Sequence, residues 1–459
     1  MSDRRIERWF AVATAVLLVA SVGAVVAAPA ENPGRERALA FDPPVPDDYV
    51  FEAPPTGGHA SVDGQRYDSL SAALDAAESG DTVRVTGSVN GPVTVETPGV
   101  TIAGTAPSQS VIAGDAEGTV LTVNASDVTV RDVWVRNAGY STTDNDAAVW
   151  IDGANATVDG VRVTNTTFGV WVDGVPSVVV RDSTIVGRES IARLSDRGNG
   201  IQLWEAEAAV VANNTITDVR DGVYFSWSSN VTARNNTMWD LRYGVHYMYS
   251  DDCLLANNTA FDNDVGFALM LSDRITVVNN TAVNNTGSSG HGVLVKSVDH
   301  SRIAYNDFVE NENGLFVYNS LDNTIAGNLF LGNDVGVHLT GGSVDERGYG
   351  NSFIRNGDAM KAVIGQQVAW NGSERGNFWS DARPVDVDHD GVSEVRYQAT
   401  GVLDEITRKH PETEVFASSP AFDAVRLASR SVPLVQTPGV VDYHPLARPA
   451  HEDWRRYYE

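Results

Sequence analysis

Apolar and polar positions alternate in short bursts that recur every 22 residues through the middle of the chain. A glycine opens each burst, at Gly200, Gly222, Gly244, Gly266, Gly292, Gly314 and Gly336, and only the step from 266 to 292 carries four extra residues. The first and third residues after each glycine are apolar or aromatic (Ile201/Leu203, Val223/Phe225, Val245/Tyr247, Phe267/Leu269, Val293/Val295, Leu315/Val317, Val337/Leu339). A period of two marks a strand with one buried face. A strand that recurs at a fixed longer period marks a unit that buries its apolar side only by stacking on its neighbours. Asparagine keeps the same beat: Asn214, Asn236, Asn258 and Asn280 each close an Asn-Asn pair, and Asn306 and Asn328 continue the series. Such a column reads as a ladder at a tight corner, where asparagine tolerates left-handed backbone and its amide reaches the asparagine one coil away. The pattern predicts an all-β fold, a right-handed parallel β-helix of about 22 residues per coil, with coils about 4.8 Å apart and a rod on the order of 60 Å long.

The remaining chain divides around this solenoid. Arg4, Arg5 and Arg8 precede an uncharged run from Trp9 to Ala28, followed by Ala28-Pro29-Ala30. Residues 1–30 therefore read as a signal peptide or an uncleaved membrane anchor, and the rest lies outside the cytoplasm. Residues 31–58 are proline-rich and aperiodic, the texture of a linker. Ser69 to Ala77 predicts a short helix, N-capped by Asp68 or Ser69, that covers the open end of the first coil. The β-helix is expected over 59–375, with less regular rows before Gly200 and a loop near Arg188–Arg197. An Asp-rich region follows at 376–400, then a tail at 401–459 with helix-like patches at Val402–Lys409 and Phe422–Leu427.

Charge and cysteine content narrow the function. The formal net charge is -27, with lysine only at 296, 361 and 409. So acidic a surface repels nucleic acid and anionic lipid. The single cysteine, Cys253, falls in the row position of Val231 and Ile275 and reads as a small core residue, which excludes a disulfide framework. Asp386, Asp388 and Asp390 alternate before Gly391, with Glu394 close behind. Hard oxygen ligands on a tight turn suit calcium. The bidentate glutamate of an EF-hand loop would fall on Tyr397, so a plain acidic surface turn is the competing reading.

The second and fourth residues after each glycine face away from the core, and their chemistry is uneven. They include Trp204, Tyr224, His246, Met248, Met270, Phe316 and Tyr318. Five methionines occur in the whole chain, so two stacked on an outer face, with His246 on the strand of one, stand out. Imidazole with thioether is a soft donor set suited to Cu(I). Alternatively the face is a protein-contact patch built on Trp204, Tyr224, Phe316 and Tyr318. Asp218, Asp240 and Asp262 also stack in register, with Arg220 and Arg242 two positions on. A carbohydrate lyase or epimerase would draw on that stripe, whereas a solvated edge needs nothing further. A metal-free surface scaffold is the remaining alternative.

Two runs are more specific than the repeat. Asp240-Leu-Arg-Tyr-Gly-Val-His-Tyr-Met-Tyr-Ser250 and Gly266-Phe-Ala-Leu-Met-Leu-Ser272 resemble the NosD family, as do Gly376-Asn-Phe-Trp-Ser380, the Asp386–Gly391 loop, Ser418–Ala421 and Pro445–Pro449. The likeness runs from about residue 60 to 450. It implies an exported, non-enzymatic accessory protein for nitrous-oxide reductase that works with an ABC-type ATPase and a membrane permease. Together these help build the enzyme's copper–sulfide centre, with copper delivered by a separate chaperone. Carried over, the resemblance puts His246, Met248 and Met270 in the copper or docking region and sets the tail against the permease.

Overall fold

In a computed structural model, residues 38–458 are described except 44, 46–48, 189, 363, 365 and 401–438, and within that last range Thr413 and Ser419 are described. The solenoid runs to about 13 coils of about 22 residues. One face is a sheet of 12 parallel strands, running from Val93–Val95 to Asp358–Ala362. The short strands that complete each coil, such as Thr232–Arg234 and Thr237–Trp239, pair with their counterparts one coil away. Register is strict: Val223 pairs with Val245 and Val245 with Phe267, while Phe225 pairs with Tyr247 and Tyr247 with Leu269. All six are fully buried, as the period-two pattern requires. Each large side chain of this kind contributes about 1.5–3 kcal/mol on burial. Cys253 lies in the same core, 2% exposed, and burial pushes its thiol up to about 12, which suits packing and not chemistry.

The asparagine ladder is continuous. Nδ2 of Asn214 donates to Oδ1 of Asn236 at 3.0 Å, and the same bond repeats through Asn258, Asn280, Asn306, Asn328, Asn351 and Asn377. Each step also donates to a backbone carbonyl, as Asn258 does to Ala233 at 3.0 Å, and accepts a backbone N–H, as Asn258 does from Asn236. The buried amides are thus saturated, the condition for a polar column inside a core. One expectation needs correction. The ladder residue is not the left-handed one: the asparagine before it is, with φ 58° at Asn213, 56° at Asn235 and Asn257, and 55° at Asn279. Each Asn-Asn pair divides the work, one residue turning the chain and the next filling the turn. A second ladder, Asn263–Asn285–Asn311–Asn333–Asn356, runs along another corner at 2.9–3.1 Å.

The ends are closed. Helix α1 (Leu70–Ala76) buries Leu70, Ala73 and Leu74, and the Ser69 hydroxyl caps it by accepting from the Ala72 N–H at 3.1 Å. The described part of the proline-rich segment is not a detached linker. Leu39, Phe41, Val45 and Tyr49 pack on an outer apolar cluster of Trp239, Phe261, Val283, Val309 and Leu331. The end of the chain packs there too, through Trp454 and Tyr457, and Leu39 forms a β-bridge with Tyr458. Gly439–Asp442 joins Gln367–Ala369 and Tyr397–Gln398 in a small three-stranded sheet. The helix-like patches expected at Val402–Lys409 and Phe422–Leu427, and the apolar run Trp9–Ala28, lie outside the described residues.

Candidate metal centre on the outer sheet

Four consecutive strands of the 12-stranded sheet carry the site: β1 (Asp221–Ser226), β2 (Tyr243–Met248), β3 (Val265–Asp273) and β4 (His291–Asp299). His246 and Met248 alternate on the same side of β2. Across the ladder His246 pairs with Tyr224 and Ala268, and Met248 with Ser226 and Met270; Met270 pairs with Lys296 on β4. The two thioethers and the imidazole therefore lie on adjacent strands of one face, as the row alignment expects.

That face is less open than the alternation implies. His246 is 5% exposed, and Met248 and Met270 are half-buried. Tyr224 stacks on the imidazole at 4.4 Å and 12°, and Tyr243 meets it edge-on at 5.0 Å and 83°. Beneath the ring lies Asp221, which has no exposed surface. Its Oδ2 is 3.1 Å from His246 Nδ1, and Arg242 binds it with both ends of the guanidinium, Nε to Oδ1 at 2.8 Å and Nη2 to Oδ2 at 2.6 Å. Burial alone would raise the Asp221 carboxyl. The Arg242 charge and the bonds from His246 and Arg242 outweigh it and hold the group well below the usual carboxylate range. Burial lowers His246 from its ordinary value against the pull of Asp221, so the imidazole stays neutral at neutral pH. Its Nε2 is buried and has no hydrogen-bond partner. A neutral imidazole nitrogen with nothing to bond, on the strand of one thioether and beside a second, matches the donor chemistry of Cu(I).

The expected contact patch does not form one surface. Trp204 joins Trp150, Trp171, Phe168 and Ala147, with Trp150 and Trp171 stacked at 5.1 Å. Tyr224 belongs to the imidazole. Phe316 lies between His291, stacked at 4.6 Å, and His338, edge-on at 5.0 Å. Tyr318 is 45% exposed and is the only one of the four that faces solvent freely. In the Asp loop, carboxylate oxygens of Asp386, Asp388 and Asp390 lie within 4.8 Å of one another. Glu394 is outside that cluster, its carboxylate accepting the Val387 N–H at 3.0 Å. Asp218, Asp240 and Asp262 are left-handed corner residues, with φ 58°, 56° and 55°. Arg242 reaches Asp221 and Arg220 reaches Asn199, instead of lining a carboxylate cleft.

Asp221 is the residue that sequence reasoning missed. The position before the row glycine holds Asn199, Asp221, Tyr243, Val265, His291, Asn313 and Val335, a column with no common type. One signal was available: Asp221 is the one carboxylate in it, one coil from His246.

The fold and its outer sheet thus define a parallel β-helix that presents an imidazole and two thioethers, a soft donor set, on one face. The comparisons give the family. The family model described as periplasmic copper-binding protein (NosD) matches residues 181–384, the span that holds Asp221, His246, Met248 and Met270. A probable ABC transporter binding protein NosD of Pseudomonas aeruginosa is 40% identical over 356 residues, covering 74% of this chain and 82% of the relative. One of the same description from Stutzerimonas stutzeri is 36% identical, covering 74% and 81%. The chain belongs to the NosD family. Among solved structures, the A-module of the mannuronan C-5 epimerase AlgE6 from Azotobacter vinelandii aligns with a TM-score of 0.55 at 17% identity, over 68% of this chain and 95% of that one, a likeness of fold alone. Among the described residues no helix is long and apolar enough to cross a membrane.

Proposed function

We propose that this protein is an exported, non-catalytic accessory factor that carries Cu(I) as cargo on its outer sheet and serves assembly of the copper–sulfide centre of nitrous-oxide reductase. His246 Nε2 and the sulfurs of Met248 and Met270 are the donors. The observation that carries this reading is the buried Nε2 with no partner beside two in-register methionines. An unpaired buried nitrogen costs about 1–3 kcal/mol, and a transient ligand removes that cost. All three donors are neutral, so the site takes a soft monovalent ion without needing to release protons. The relatives' description as ABC transporter binding proteins supports an ABC-type ATPase and permease as partners; the proposed route adds a copper chaperone upstream and the reductase downstream. Of the four aromatic side chains expected to make contact, Tyr318 is the one left for a partner, with Trp204 half-buried at the edge of its own cluster. Asp386, Asp388 and Asp390 form a calcium site, with Glu394 acting on the loop backbone.

The test is complementation. A host lacking this gene yields reductase without its catalytic copper–sulfide centre. The wild-type gene restores copper content and N2O reduction, and the Met248→Leu/Met270→Leu variant, folded as judged by thermal unfolding, does not. A fully loaded, active reductase from the deletion strain overturns the maturation role. Full restoration by the double variant removes the methionines from it.

A further inference from the structure

We infer that Asp221 is a positioning residue for His246: it fixes the imidazole proton on Nδ1 and leaves Nε2 as the free donor on the strand of Met248, while Arg242 anchors the carboxylate. The inference rests on His246 being the copper ligand, but its first test needs no copper.

The geometry allows one assignment of protons. Both oxygens of Asp221 are engaged by Arg242, Oδ1 at 2.8 Å and Oδ2 at 2.6 Å, and Arg220 Nε lies 3.8 Å from Oδ2. A carboxylate gripped by a two-pronged guanidinium has only lone pairs to offer. The hydrogen in its 3.1 Å contact with His246 therefore sits on Nδ1. A neutral imidazole protonated on Nδ1 keeps its lone pair on Nε2, the buried atom that lacks a partner. The ring cannot turn to exchange the two nitrogens, because Tyr224 covers one face and Tyr243 abuts it edge-on. Arg242 is held in turn, its guanidinium lying 4.4 Å from the Tyr243 ring centre. Carboxylate, imidazole and metal in line is the arrangement by which an outer residue orients a ligating histidine. Here the carboxylate comes from one coil, the imidazole from the next, and the second thioether from the third, so the stacking of the solenoid builds the relay.

The first measurement is the imidazole 15N spectrum of metal-free protein. We expect His246 to carry its proton on Nδ1 in the wild type and to lose that preference in Asp221→Asn. A wild-type His246 protonated on Nε2 overturns the inference whatever the protein binds. The second measurement is Cu(I) affinity, by competition with a chromophoric chelator. Asp221→Asn should bind roughly 10–100-fold more weakly, and His246→Ala should lose this site. Equal Cu(I) affinity in Asp221→Asn and wild type, with affinity lost in His246→Ala, overturns the role of Asp221 and leaves the copper reading standing. No Cu(I) binding by wild type or His246→Ala sinks the copper reading, and the 15N spectrum still decides the tautomer. If Asp221→Asn does not fold because Arg242 is left unpaired, the double change Asp221→Asn/Arg242→Gln removes both charges and takes its place in each comparison.

Discussion

In the coils that carry the candidate donors, two corners of the solenoid ask the backbone for the same thing and are filled by opposite kinds of residue. At one, Asn213, Asn235, Asn257 and Asn279 take φ of 55–58°. Asparagine enters that region readily because its short polar side chain bonds locally. At the other, Trp227, Tyr249 and Leu271 take φ of 56°, 54° and 52°. Left-handed backbone costs an ordinary L-residue about 1–2 kcal/mol. Trp227 and Tyr249 stack at 4.3 Å, and Trp227 and Leu271 remain 48% and 39% exposed. These three directly follow Ser226, Met248 and Met270. In these coils the first corner is filled by what the turn requires, whereas further on Tyr305 takes the same place at φ 58°, and Ser297 and Asn319 continue the second corner at 54° and 49°. The second holds residues the turn resists, beside the candidate donors, and backbone strain of this kind collects where side chains have work outside the fold.

Breaking the ladder gives the largest effect. Asn258→Leu removes the acceptor for the Asn236 backbone N–H and side chain, and takes the side-chain donor from the Ala233 carbonyl and from Oδ1 of Asn280, which keeps only the backbone N–H of residue 258. Several buried groups lose partners together, so the expected loss is about 3 kcal/mol or more, read from the midpoint of urea unfolding. A cost below about 1 kcal/mol would mean the ladder only fills space. A second effect comes from a polar column that ends in a carboxyl. Ser301 is followed by Asn323 and then by Glu346, which accepts from Asn323 Nδ2 at 3.0 Å on Oε1 while Oε2 is buried without a partner. Burial pushes Glu346 up to about 8 from an ordinary 4.5. The folded state thus binds this proton more tightly than the unfolded chain. Its contribution is complete below pH 4.5 and declines until pH 8, by about 1 kcal/mol per pH unit. Glu346→Gln should flatten stability across that window; an unchanged slope would assign it to other groups. Smallest, and opposite in sign, is relief of strain. Leu271→Asn should gain about 1 kcal/mol, and Asn257→Leu should lose about the same. Equal effects of one sign would show that the two corners do not differ.

The solenoid was legible because its physics is periodic. A fixed step in glycine, asparagine and alternating apolar residues can be counted without knowing any contact, and the stacking of Met248 on Met270 follows from the same count. What was hidden does not repeat. Asp221 acts across coils from a column of mixed residue types, so the row alignment marks it only as that column's one carboxylate. The side chains opposite the core were expected to face water, yet Gln202, His246, Ala268 and Leu294 are each at most 9% exposed. Alternation reports which side of a strand a residue takes, not what covers that side. The second ladder was present in the sequence, at steps of 22, 26, 22 and 23, but of its asparagines only Asn285 closes an Asn-Asn pair. Phe41, Val45 and Tyr49 lack any period because an extended segment lying along a rod meets one coil at a time.

That extended segment changes how the rod comes apart. A stack whose coils touch only their neighbours opens like a zipper, fraying from whichever end is weaker. Here Phe41 rests on Phe261 and Tyr457, Tyr49 on Trp239, and Phe51 on Trp134, while the Leu39–Tyr458 bridge ties the leading thread to the trailing one. The coils that carry Trp134, Trp239 and Phe261 cannot open without also releasing this lashing. The lashing couples coils that a one-dimensional array would leave independent, and it brings Leu39 and Tyr458 to the same spot on its flank.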